Sequence, residues 1–134
     1  MIHLDTTFLV DLLREERRRK PAGAAAFLQE RPDEELRISV HAACELFAGV
    51  EAARLPDEER GRVAALLEIV GIVFPDERFA PAYGRLLAQL ERAGARIGVM
   101  DLLIGAAALV EGAALVTRNV REFGRIPGLR VVSY

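Results

Sequence analysis

The 134-residue chain has one cysteine, no tryptophan and two tyrosines, and of its 18 basic residues a single one, Lys20, is a lysine. A lone Cys44 excludes an internal disulfide and any zinc site built on several thiolates. No run approaches the roughly 18 consecutive apolar residues of a membrane span. The opening "MIHLDTT" places an acid at position 5, where a secretory signal needs a basic stretch followed by an apolar one, so a cytoplasmic protein is expected. Strong basicity is also missing. A formal net charge of -2 and a pI near 5.7 exclude a protein that coats nucleic acid by charge alone, though not an enzyme that acts on it. No internal repeat, low-complexity tract or linker interrupts the chain, and its length suits one domain over 1–134. The near-exclusive use of arginine supplies planar forks suited to phosphate, but a bias this complete reads first as genome composition.

What is present alternates between strand and helix. "MIHL" is a short strand-like run, and "DTTFLVDLLREERRRK" follows with Phe8, Leu9, Leu12 and Leu13 at helical spacing behind a threonine cap. "AGAAAFLQER" forms a second helix between Pro21 and Pro32. "LRISV" (36–40) has strand composition and runs into "HAACELFAGVEAARL", whose Ala43, Leu46, Phe47 and Val50 make an apolar face. Pro56 and Asp57 open a helix over "DEERGRVAALLEIV", "GIVF" (71–74) is a third strand, and "DERFAPAYGRLLAQLERAG" is an amphipathic helix closed by Gly94. A helix "IGVMDLLIGAAAL" (97–109) stops at Gly112, a strand "AALVT" (113–117) follows, then a loop "RNVREFGRIPG" and a last strand "LRVVSY". Such alternation implies an α/β fold with a parallel sheet covered on both faces.

The helix over 97–109 is apolar on nearly every side except at Asp101, which is therefore expected to lie in the core. An unpaired buried carboxylate costs several kcal/mol, so something should compensate it. In open parallel sheets ligands gather at the carboxyl ends of the strands, where the strand order reverses. Asp5 follows the first strand, Glu45 lies about a turn into the helix after the second, Asp101 stands in the first turn of its helix, and Thr117, Arg118 and Asn119 follow the fourth strand. Three carboxylates at one edge repel unless a cation sits among them. A hard divalent ion with oxygen and water ligands, Mg²⁺ or Mn²⁺, suits that set and activates water for attack on a phosphodiester.

The segments "IHLDTTFLVDLL", "ISVHAACELFAGV", "IGVMDLLIGAAALVEGAALVTRNVREFGRIPGL" and "RVVSY", in this order, resemble the PIN-domain family, and within it the VapC toxins of bacterial toxin/antitoxin pairs. The resemblance runs over essentially the whole chain. It implies a three-layer α/β/α sandwich with a central parallel sheet and a Mg²⁺- or Mn²⁺-dependent endoribonuclease. It also implies a homodimer, and a cognate VapB-type antitoxin that blocks the site in a heterotetramer or higher assembly. Asp5, Glu45 and Asp101 match the family's three acidic metal-site positions, and Thr6 and Thr117 match hydroxyl positions lining the site. The family's fourth acid often follows the strand-ending threonine by two residues; here that position is Asn119, which implies a weaker ligand and one firmly held ion. His41 stands where the family usually has a small or apolar residue.

Each residue also has a plainer reading. Asp5 can cap the following helix, Asp101 can answer the helix dipole at about 0.3–1 kcal/mol, and Glu45 can be a solvated polar position, although Cys44, Leu46 and Phe47 beside it are apolar. His41 and Glu45 at i, i+4 share a helix face, but two histidines without an HExxH pattern do not make a zinc site. No Gly-x-Ser-x-Gly elbow supports a serine hydrolase. A phosphoacceptor receiver domain would need an acidic pair after the first strand and a lysine after the last. "REERRRK" is a solvated helix end. Arg118 and Arg121, flanking Asn119, are candidates for gripping RNA phosphates. "TRNVREFGRIPGL" leans towards transfer RNA as the substrate. A ribonuclease acting on ribosomal RNA, and a PIN-like module that binds partners without catalysis, remain alternatives.

Overall fold

The computed structural model describes residues 1–134 throughout. Twelve elements follow one another: β1 (Ile2–Leu4), α1 (Thr6–Arg17), α2 (Gly23–Gln29), β2 (Leu36–Ser39), α3 (Val40–Ala52), α4 (Pro56–Ile69), β3 (Gly71–Val73), α5 (Phe79–Arg92), α6 (Val99–Val110), β4 (Ala114–Val116), α7 (Val120–Phe123) and β5 (Val131–Val132). The five strands form one all-parallel sheet in the order β3-β2-β1-β4-β5, with Ile2 in register with Leu36 on one side and Ala114 on the other. The chain steps outward from β1 through β2 to β3, then returns to the far side of β1 for β4. With right-handed crossovers this reversal sends α1–α4 to one face and α5–α7 to the other. The packing follows this, with α1 on α2 and α3, α3 on α4, α5 on α6 and α6 on α7, while α3 also meets α6. The expected α/β/α arrangement is therefore present, and its switch point lies between β1 and β4. No helix is long and apolar enough to cross a membrane.

Burial explains why β1 and β4 are short apolar runs without alternation. Every residue of both strands is buried, as central parallel strands covered on two faces must be. Phe8 anchors the face below, fully buried and edge-on to Phe27 at 5.7 Å and to Tyr134 at 4.7 Å between ring centroids.

Several boundaries differ from the expected ones for local reasons. Ser39 caps α3 by accepting the Ala42 amide at 3.1 Å, so Val40 begins the helix and does not end the strand. α1 stops at Arg17, short of Lys20, because Arg19 adopts a left-handed φ of 52°. α5 begins at Phe79, after Asp76 has turned back to take the Arg78 amide and guanidinium. The segment 118–128, expected as loop, contains the single-turn helix α7, with Phe123 and Ile126 buried beneath it.

Gly105 makes that close approach possible. A Cβ there would overlap Ile126 Cδ1 and come within 3.5 Å of Phe123 and Leu129, and Ile126, only 2% exposed, has nowhere to swing. Gly105→Ala gains helix propensity of up to about 1 kcal/mol but overpacks by about 1–3 kcal/mol. The expected net loss is about 1 kcal/mol, read as a fall of about 4 °C in Tm. A Tm equal to or above that of the parent chain would show that the α6–α7 contact is slack.

Candidate active site

The switch point gathers polar groups that the strands on either side carry to the same edge. Asp5 directly follows β1, is buried, and caps α1: its Oδ1 accepts the Thr6 amide at 2.8 Å. Its Oδ2 accepts the hydroxyls of Thr7 at 3.0 Å and of Thr117, which ends β4, at 2.7 Å. A carboxylate has about four acceptor positions, so these three bonds hold Asp5 rigidly and leave it one position to offer. Thr117 is wholly buried and also accepts the Asn119 amide at 2.9 Å, which turns the chain into α7. Thr6 donates its hydroxyl to Glu45 Oε1 at 2.7 Å, tying the second acid to the first through adjacent residues.

Asp101 differs from the expectation of a core residue. It is half-buried, in the first turn of α6, while the apolar face of that helix from Leu102 to Ala108 makes the core contact. No protein donor bonds to its side chain, in contrast to Asp5 and Glu45. Burial raises its pKa first, and the negative charges of Asp5, Glu45 and Glu122 raise it further. Four acids therefore share one field. Their side chains do not close into a ready-made cage of three or more ligands, so the cluster is open and loose. That suits Mg²⁺, which keeps several waters and takes only one or two carboxylates directly. It does not suit a dehydrated, tightly caged ion.

Glu122 is the residue that sequence reasoning missed. Its signal is an acid three positions beyond Asn119, unreadable in a segment, 118–128, whose composition predicts a loop, where helical spacing has no meaning. The Asn119 side chain, by contrast, makes no hydrogen bond to the cluster and does not cap α7. Glu122 adds the smallest of the charges acting on Asp101 and is itself paired with Arg125 at 3.6 Å.

The other expected residues are placed unequally. Arg118 is not a free cation: its Nη1 donates to both oxygens of Asp11, at 3.2 and 3.0 Å. Arg121 is exposed on α7 with no carboxylate partner. Cys44 and Phe47 beside Glu45 are exposed, so Glu45 sits on an open face of α3 and not in an apolar wall. His41 stacks on Phe79 at 5.3 Å and 27°, and burial lowers its pKa. A cleft of about 620 Å³ between α1, α3 and α4 opens beside Glu45, lined by Val10, Leu13, Leu46, Val50, Arg14 and Arg17 among others.

Comparison with known proteins follows the same lines. The family model of the PIN domain matches residues 2–129. The chain is 36% identical over 92 residues to ribonuclease VapC2 of Rickettsia felis, covering 69% of each chain. It is 33% identical over 94 residues to the tRNA(fMet)-specific endonuclease VapC of Salmonella typhimurium, covering 70% of this chain and 71% of that one. Among solved structures, a chain of the VapBC2 complex of Rickettsia felis bound to a fragment of its promoter DNA superposes with a TM-score of 0.90 at 29% identity, over 100% of this chain and 99% of the other.

Proposed function

Since this chain belongs to the PIN-domain family, among the VapC ribonucleases, we propose that it is the toxin of a toxin/antitoxin pair and a divalent-metal-dependent endoribonuclease acting on transfer RNA. It is a nuclease and a hydrolase. The observation that carries the metal-dependent reading is Asp101, a carboxylate without a donor in the field of three other acids. Asp5, Glu45 and Asp101 would hold Mg²⁺ or Mn²⁺, directly or through water, with Glu122 adding charge and Asn119 a weaker ligand. When bound, the ion supplies Lewis acidity towards a water and a phosphate oxygen.

The chain's own residues do the rest. Thr7 and Thr117 fix Asp5, so that its orientation costs no reorganisation when substrate arrives. Thr6 holds Glu45 at the mouth of the cluster, where exposure leaves it open to solvent and substrate. Arg118 and Arg121 stand at the rim to take phosphates flanking the cut.

The substrate assignment is supported by the Salmonella typhimurium relative, whose name specifies tRNA(fMet). The partner assignment, a VapB-type antitoxin, is supported by the VapBC complexes that superpose on the chain. The cleft beside Glu45 is where we place that partner, because an occupant there covers one of the acids while burying the exposed Val10 and Leu55. A homodimer is supported by Val99, Met100 and Val120, apolar and exposed next to Asp101 and Asn119.

The test is incubation of antitoxin-free protein with a total tRNA pool and with ribosomal RNA, in Mg²⁺ or Mn²⁺ and in EDTA. Discrete tRNA fragments that vanish in EDTA are expected. Fragments from ribosomal RNA alone would move the substrate, and intact RNA of both kinds with folded protein and either metal would make the chain a binding module.

A further inference from the structure

Asp11, one turn beyond Thr7 on α1, collects donors from three side chains, two of them more than a hundred positions away in sequence. Arg118 Nη1 reaches both of its oxygens, Arg14 Nη1 reaches Oδ1 at 3.3 Å, and the Tyr134 hydroxyl donates to Oδ2 at 2.6 Å. An exposed ion pair is usually worth little and holds nothing in place. This one differs, because the Asp11 side chain is only 14% exposed and Tyr134 is itself seated edge-on against the fully buried Phe8. The carboxylate is thereby pinned to the core, and the guanidinium it holds remains 59% exposed.

The Arg118 guanidinium uses one nitrogen on Asp11. Its Nε and Nη2 donate to nothing, so the edge of the fork that fits a phosphate is open. Its backbone is fixed as well: the Arg118 amide donates to Thr7 Oγ1 at 3.4 Å, the hydroxyl that bonds Asp5. Arg14 and Arg125 also hold one nitrogen each, on Asp11 and on the Arg96 carbonyl, but Arg118 alone is tied through its own amide to the Thr7 hydroxyl that bonds Asp5.

We propose that Asp11 and Tyr134 are positioning residues that hold Arg118 as a pre-aimed fork for an RNA phosphate beside the carboxylate cluster, an inference that rests on the ribonuclease reading. Tyr134 acts through Asp11, and Asp11 through Arg118. Burial first, and the bond to Asp11 next, raise the phenol pKa, so Tyr134 stays a donor throughout the working pH range.

The measurement is kcat and apparent KM on a fluorescein-labelled total tRNA pool at several salt concentrations. Arg118→Ala and Arg118→Lys are both expected to raise KM about tenfold with kcat within about threefold, because lysine keeps the charge but not the fork. Tyr134→Phe leaves every charge and the ring packing in place; it is expected to raise KM about threefold, and to add nothing in the Arg118→Ala background. Arg118→Ala should also lose about 0.7–0.9 of the slope of log KM against log salt, the share of one phosphate, whereas Tyr134→Phe should keep it. Arg118→Lys behaving as the parent chain, additive effects in the double variant, or a lower KM in Tyr134→Phe, as expected if Asp11 masks the arginine, would each overturn the proposal. If the parent chain leaves RNA uncut, the ribonuclease reading fails on its own, and the Kd of the same labelled pool then replaces KM in the same comparison.

Discussion

Asp101→Asn is expected to lower RNA cleavage by about a hundredfold or more, close to 3 kcal/mol of transition-state stabilisation, while the metal-free protein becomes slightly more stable. Both effects have one origin. Asp101 has no donor of its own and sits in the field of Asp5, Glu45 and Glu122, so its charge is a liability to the fold without a cation and the ground on which we propose one. The residue is half-exposed, and solvent screens the repulsion, which limits the gain to about 0.5 kcal/mol. In saturating Mn²⁺ the order should reverse. An ion at about 100 times its Kd stabilises the parent chain by about 2.7 kcal/mol, and the variant, lacking a ligand, should show little of that shift. Thermal melts with and without Mn²⁺, beside the cleavage assay, read all three outcomes. Cleavage by Asp101→Asn within tenfold of the parent rate would remove Asp101 from the mechanism.

His3 governs the largest expected dependence of stability on pH below neutrality. It lies in the middle of β1, in register with Arg37 and Leu115, is 1% exposed, and neither ring nitrogen has a hydrogen-bond partner. Burial, and secondarily the charge of Arg37, lower its pKa to about 4. Above pH 6.5 the imidazole is neutral in both folded and unfolded chains, and its contribution is fully present. As the pH falls from 6.5 to about 4, the unfolded chain takes up a proton that the folded chain refuses, so unfolding becomes easier by about 3 kcal/mol. His3→Leu removes that proton site and also the two unpartnered nitrogens, worth a further 1–3 kcal/mol at any pH by the usual cost of such groups, about that order. Urea unfolding at steps from pH 7 to pH 4.5 should show the variant ahead throughout and the gap widening towards acid. Parallel curves would mean that the ring finds a partner or a water.

Much of this site was legible before any coordinates. Asp5 and Thr117 directly follow strand ends and Glu45 lies in the helix after β2, and a strand ending is readable from composition, so their meeting near the β1–β4 switch point follows from the alternation of elements. The depth of Asp101 is not legible in the sequence, because an apolar helix reads as buried along its whole length, whereas only the turns from Leu102 onward face the core. Glu122 was hidden because α7 is one turn long, too short for any periodicity to show. The parking of Arg118 on Asp11 was out of reach altogether: it joins residues 107 positions apart through a tyrosine 123 positions from Asp11, and such a contact has no local signal.

The central claim is that the open carboxylate cluster holds a divalent ion. Titration of Mn²⁺ into the purified chain, followed by the loss of free-ion signal in electron paramagnetic resonance, measures it directly. One saturable site, abolished by Asp101→Asn and displaced by Mg²⁺, is the expected result. No saturable binding up to millimolar Mn²⁺, in protein that still cuts RNA in EDTA, would contradict it.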